Sequence, residues 1–297
     1  MIEFFILQCQ AQTTASSSFL EKLLPSFVGT ATALLVFYLT TIRDKNKEKT
    51  KKDEERTDKM SYLKNLLSNV IKLTKQQIEN VQEYINKVEE NDLDFHLMTL
   101  VPLTDYNRAI DTLSKDEYFI SFNRFYKEKF DTTKKYERIL SNIDYLNAEF
   151  IQITEMLKKS QQFDYERKLQ FKETVDKTIS LVGNFLLSIR QNLHPPFHIL
   201  DQRFLSFMEG LKDHSDIQYY HDEFIIPIND FCVNYLSVPG NPQIPEILLI
   251  AENSRNSKQF FQIIKDSNKE TGTDLTKIKQ SLVKSLDDLK DFQTEIS

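Results

Sequence analysis

Four of the five histidines fall in one stretch, His194, His198, His214 and His221, with Asp201, Asp213, Asp216, Asp222 and Glu223 among them. Imidazole and carboxylate groups on neighbouring helices are the donor set from which helical bundles build metal sites. His214 and His221 are seven residues apart, which places them on one face of an unbroken helix. His214, His221 and Asp216 are therefore the metal candidates, and a metal-dependent enzyme using the His194–His221 region is one function open to the chain. The spacing argues against it. His194 and His198 straddle Pro195-Pro196, so they cannot act as an i,i+4 pair, and the chain contains no H-E-x-x-H. Ordinary surface and helix-end histidines, with no catalytic residue and no cofactor, are the plainer expectation.

The other reactive types are equally bare of motif. Cys232 has His221 in its neighbourhood but no signature around it, and a small buried apolar residue is its default role. Tyr118, Phe119, Phe122, Phe125 and Tyr126 could stack nucleic-acid bases, but their helical spacing assigns them to a core. No phosphate loop, dinucleotide fingerprint or nucleophile elbow is present. One surface feature stands out. His194, Pro195, Pro196, Phe197 and His198 form a rigid corner between two helices, and exposed His and Phe side chains there make a candidate protein-partner surface.

The elements that must position these residues are helices. Five glycines in 297 residues are few, where average usage would give about twenty. That scarcity argues against glycine-rich phosphate loops and against a β-rich fold with many tight turns. Apolar positions Leu63, Leu67, Val70, Thr74, Ile78, Val81, Ile85 and Val88 form a heptad-like seam with one stutter at Thr74–Ile78. This seam fits either a bundle helix or a coil between copies of the chain. Ser114-Lys-Asp-Glu117 has the form of a capping box ahead of the next helix. Thr132 or Thr133 is expected to cap a helix carrying Tyr136 to Leu157. A separate helix carries Phe171 to Leu193 and stops before Pro195. Further helices are read from Phe197 to Leu211 and over 217–238, where Pro227 forces a kink or break and a short strand at Phe224–Ile228 is an alternative. Pro239-Gly-Asn-Pro242 is the clearest loop. Short helices then follow at Ile247–Ala251 and around Phe260–Ile264, with a last one from Leu275.

The most informative stretch is Leu23–Ile42, LLPSFVGTATALLVFYLTTI, which has no charged residue in 20 positions. At about 1.5 Å per residue it matches the thickness of a hydrocarbon core. It reads as a single transmembrane helix. Lys22 is the only basic residue before it within reach, whereas Arg43, Lys45, Lys47, Lys49, Lys51 and Lys52 follow at once. The positive-inside rule then places the N-terminal tail outside and the bulk of the chain in the cytoplasm, at a cell inner membrane. The same six residues could touch anionic lipid headgroups. Within the span, Gly29 and Ala33 have the small-xxx-small spacing that lets two membrane helices approach, so a homo-oligomer is one expectation.

Residues 1–59 carry nine Lys and Arg against eight Asp and Glu, which leaves a net charge of −7 on residues 60–297 out of −6 for the whole chain. An acidic domain is a poor match for phosphate backbones, and no nucleic-acid partner is expected. Two distant cysteines make no disulfide framework.

The sequence therefore predicts an all-α protein. A short extracytoplasmic tail (1–22) and a transmembrane helix (23–42) lead into a basic juxtamembrane segment (43–59). A long amphipathic or coiled-coil helix (60–92) and a helical cytoplasmic domain (93–297) follow. In layout, though not in motif, this resembles bacterial inner-membrane proteins, some of which are effectors or sensors in stress and antiphage systems. The function expected is that of a non-enzymatic scaffold that is held at the lipid bilayer and binds a cytoplasmic protein partner. The alternative is an oligomerising effector that perturbs the bilayer through Gly29, Ala33 and the Leu63–Val88 helix.

Overall fold

The computed structural model describes residues 17–297 apart from Phe95 and Leu193, and side chains from Val28 onward apart from Asn192. Residues 1–16 of the expected tail, with Cys9, lie outside the described residues, as do the side chains of residues 17–27, with Pro25; residues 17–22 of that tail belong to a helix. All regular structure among the described residues is helical. The elements are α1 (Ser17–Glu90), α2 (Thr104–Leu113), α3 (Asp116–Tyr126), α4 (Thr132–Ile189), α5 (Pro195–Gly210), α6 (Ile226–Ser237) and α7 (Pro245–Ile296). A 3-10 turn, Arg190–Asn192, follows α4. A helical turn, Ile217–Tyr219, and a π-helical segment, Tyr220–Ile225, lead into α6. The chain divides into two units at Tyr62/Leu63, which are taken separately.

In the second unit, α4 and α7 pair antiparallel along their whole lengths. Lys135 meets Glu295, Arg138 meets Asp288, Ser160 Oγ lies 3.0 Å from Thr271 Oγ1, and Ser257 Oγ donates to Thr174 Oγ1 at 2.9 Å. The reason is a heptad register. Ile247, Ile250, Ser254, Ser257, Phe261, Ile264, Asn268, Thr271, Leu275, Ile278, Leu282, Ser285, Leu289, Phe292 and Ile296 are all buried, in unbroken steps of three and four. Alternating 3/4 spacing keeps one seam facing a partner helix along the left-handed supercoil.

This register corrects the expectation of several shorter helices. Residues 158–170 and 252–259 are polar and look like connections, but they contain no proline and are adequate helix formers. Small polar side chains occupy the seam in place of apolar ones, so the helices run through.

The C-terminal part of α1 supplies a third helix. Leu63, Leu67, Val70, Thr74, Gln77, Val81, Tyr84 and Val88 form its buried seam, with Leu66 and Ile85 buried beside it. The expected stutter is absent, because Gln77 is buried and Ile78 is only half-buried. Val88 packs at Gly272 on α7, and Lys279 donates to Gln82. The seam is thus filled from its own chain. Residues 63–88 pack as a helix of the bundle.

The two buried polar residues of this seam have partners. Thr74 Oγ1 bonds Val70 O and the Tyr106 hydroxyl, each at 2.7 Å. Gln77 Oε1 accepts from Val101 N at 2.9 Å, pinning the loop into α2. An unpaired amide there would cost about 1–3 kcal/mol, so this bond selects the loop's path.

Two caps differ from the sequence reading. Ser114 ends α2, its hydroxyl donating to Asp111 O at 3.1 Å, and α3 begins beyond it without a side-chain cap. Asp131, not a threonine, caps α4 by accepting from Lys134 N at 3.3 Å. The α2–α3 pair covers the end of the bundle where Tyr126 donates to Ile296 O at 2.7 Å and Tyr136 to Leu113 O at 2.9 Å.

At the other end, α5 and α6 pack on the last turns of α4 and the first turns of α7 around Phe171, Val182, Phe207, Phe224, Ile228 and Ile247. Pro227 neither breaks this region nor forms a strand. The π-helical turn before it, closed by Ile226 N to His221 O, absorbs the proline's missing donor within a helical path. Arg203 Nη1 then donates to Pro227 O at 2.7 Å.

The first unit is the N-terminal part of α1. Val28, Leu34, Leu35, Val36, Phe37, Tyr38 and Leu39 are all more than half exposed. Among the described residues no helix is long and apolar enough to cross a membrane. The described side chains include 28–42 of the apolar run, and its first five lie outside them.

Candidate functional site

The histidine stretch is dispersed by the fold. His194 stands at the N-terminus of α5 and is exposed, as is His198 one turn on. His214 lies in the α5–α6 connection, its Nδ1 3.2 Å from the Tyr220 hydroxyl. His221 lies in the π-helical segment, its ring stacked on Phe261 at 3.6 Å between centroids. Its Nδ1 is 2.7 Å from Asp222 Oδ1. The π turn and the preceding loop break the helix face that His214 and His221 were expected to share. Asp216 is used as a helix cap, accepting from Tyr219 N at 2.8 Å. Burial pushes the Asp222 carboxyl up, but hydrogen bonds from Gln218 and His221 together with the charges of His221 and Lys265 outweigh it and hold it below the ordinary value. Among the described residues no group of His, Cys, Asp and Glu could hold a metal ion.

At the Pro195-Pro196 corner, His194, Pro195, Pro196 and His198 are exposed. Phe197 is buried, edge-on to Phe185 at 5.2 Å and tilted against Tyr235 at 5.3 Å. Helix geometry sends it inward because α5 starts at Pro195 and residues 197, 200, 204 and 207 face the core. The apolar side chains left outside near this corner are Leu187, Ile199 and Leu205, each at least half exposed.

The Gly29–Ala33 face is open. Nothing lies within 4 Å of the position a Cβ would take on Gly29. The basic residues Arg43, Lys45, Lys47, Lys49, Lys51 and Lys52 are exposed. Residues 43, 47 and 51 share one side of the helix, and 45, 49 and 52 the other. Lys52 pairs with Glu48 at 2.5 Å and holds the Glu48 carboxyl below its ordinary value. Between Val28 and Ile42 the threonine hydroxyls turn inward: Thr32, Thr40 and Thr41 each donate to the carbonyl four residues back at 2.8 Å.

Sequence reasoning missed a cleft of about 610 Å³ between α4 and the α5–α6 connection. Its floor is apolar, formed by Phe171, Val175 and Tyr220, all buried. Its rim carries Lys168, Lys172, Lys212 and His214, with Asp213 the one acid. Lys168 is anchored: its Nζ is 2.7 Å from Asp164 Oδ2, and Asp164, buried between the helices, also accepts from Asn268 Nδ2 at 3.3 Å. Asp213 is turned onto Ser215, whose N–H and hydroxyl donate to Oδ1 at 2.8 and 2.7 Å and hold its carboxyl below the usual range. The only prior signal was Lys168 and Lys172 one turn apart, which any solvated helix face would also show. Lys212 comes from a distant segment. Comparison with family models, with curated proteins and with solved structures returned no match to this chain.

Proposed function

We propose that the chain is a membrane-tethered, non-enzymatic interaction protein: α1 anchors it through Leu23–Ile42, and the helical unit from Leu63 onward engages a cytoplasmic protein. The observation that carries this reading is the exposed apolar face of Val28–Ile42, directly followed by basic residues on both sides of the same helix. Exposed apolar surface of that extent costs free energy in water and gains it in lipid. The inward-bonded Thr32, Thr40 and Thr41 hydroxyls fit the same environment, since hydrocarbon offers polar groups no other partner. The basic run supports a cytoplasmic position for the bulk domain. The partner surface we favour is the α4–α5 corner, where His194, Pro195, Pro196 and His198 are presented by a turn that Phe197 pins to the core. A proline-fixed corner loses little entropy on binding.

A second reading, self-association in the bilayer through Gly29 and Ala33, is favoured by the open space above Gly29. It needs no coil from residues 63–88.

In-cell crosslinking of the full chain followed by purification tests the main reading. The expected result is one protein captured reproducibly by the native chain and lost in a Pro195→Ser/His198→Glu variant that remains folded. Capture of no protein, or undiminished capture by the variant, contradicts it.

A further inference from the structure

We infer that the cleft between α4 and the α5–α6 connection is a binding site for a small anionic amphiphile, an apolar body with one phosphate or carboxylate head. The volume, about 610 Å³, falls in the range of small-molecule sites. The lining is divided by chemistry. Phe171 and Val175 on α4 and Tyr220 on the π-helical segment make a buried apolar floor. Tyr165 and Leu169 carry that apolar surface out to the lip, at 69% and 46% exposure, and a bound hydrocarbon would cover them.

Cations stand around the floor. Lys168 and Lys172 come from α4 and Lys212 from the connection. The chain's acids outnumber its bases 44 to 38; here three lysines line the cleft beside one lining acid, Asp213, while Asp164 is spent on Lys168 and Asp176 lies near Tyr220. Lys172 and Lys212 are exposed and available to a ligand. Lys168 is already oriented by Asp164. The His214–Tyr220 contact adds a positioned polar pair. The only acid of the rim, Asp213, spends one carboxylate oxygen on Ser215. An apolar floor with cations on its rim selects a molecule having both halves. A neutral hydrocarbon alcohol leaves the lysines unused, and a bare anion leaves the floor wet. Phosphate and carboxylate heads share the acceptor chemistry that lysines bind. The inference does not depend on the membrane anchor.

The test is calorimetric titration of the full chain in neutral phosphatidylcholine nanodiscs, against empty discs, with octyl phosphate, octanoate, octanol and inorganic phosphate as separate probes. Octyl phosphate or octanoate should bind saturably at one site per chain, the tighter of the two naming the head group. Octanol and inorganic phosphate should each bind about tenfold more weakly or worse. Lys172→Glu/Lys212→Glu, at two exposed positions, should weaken the anionic amphiphile at least about tenfold while leaving thermal unfolding unchanged. Leu169→Glu should weaken it through the apolar half. Equal binding of octanol, equal binding of inorganic phosphate, undiminished binding by the charge-reversed variant, or no saturable binding at all would overturn the inference.

Discussion

At the scale of single residues, the fold depends on polar groups placed where apolar ones would be expected. Gln77 lies at a heptad position with 1% of its surface exposed and accepts the Val101 N–H. Gln77→Ala removes that acceptor and strands a buried donor. The expected cost is about 1–3 kcal/mol, read as a lowered urea midpoint, while Ile78→Ala, half-buried, should cost less. Cys232 is the opposite case, fully buried without a polar partner, and burial pushes its thiol from an ordinary 9.0 up to about 12. Iodoacetamide at pH 8 should leave it unmodified in the native protein and alkylate it once unfolded; rapid native alkylation would show the site open. The linked stability has a definite sign. The folded state holds this proton more tightly, so the contribution is full below pH 9.0 and is lost as pH rises toward about 12.

At the scale of elements, the α4–α7 pair carries most of the domain's buried length. Leu282, fully buried in the C-terminal half of α7, should cost about 2–5 kcal/mol of stability when cut to alanine. Gly272→Ala should do the reverse. The added Cβ would meet Val88 Cγ1 at 3.6 Å, an ordinary contact, and replacing a mid-helix glycine stabilises by up to about 1 kcal/mol. Chemical denaturation of the two variants checks both signs.

The all-helical class was legible from 3/4 spacing of Leu, Ile, Val and Phe, and the α4–α5 stop was legible from Pro195. Helix lengths were not. Ser254, Ser257, Asn268 and Thr271 hold seam positions in α7, and polar residues there read as breaks. Pro227 reads as a breaker because nothing local announces a π turn. The metal candidates illustrate the same limit: His214 and His221 are neighbours only on a helix that the chain does not build. The cleft was illegible because its cations come from segments some forty residues apart, with no signal in either.

At the scale of the whole molecule, two chemically distinct units follow one another in the sequence. One presents bare apolar side chains over Val28–Ile42 and then a run of cations. The other buries its seams and carries a net negative charge. On the proposed reading, a lipid bilayer would take up the first unit and leave the second in water. The proposed orientation puts Cys9 outside the cell. A membrane-impermeant maleimide should therefore label Cys9 in intact cells, with Cys232 shielded by burial. Labelling only after permeabilisation would invert the topology.

The anchor itself is tested most directly by alkaline carbonate extraction of membranes containing the full chain. The account predicts that the protein stays in the membrane pellet and moves to the soluble fraction when residues 1–42 are deleted. Release of the intact chain into the carbonate supernatant would contradict it.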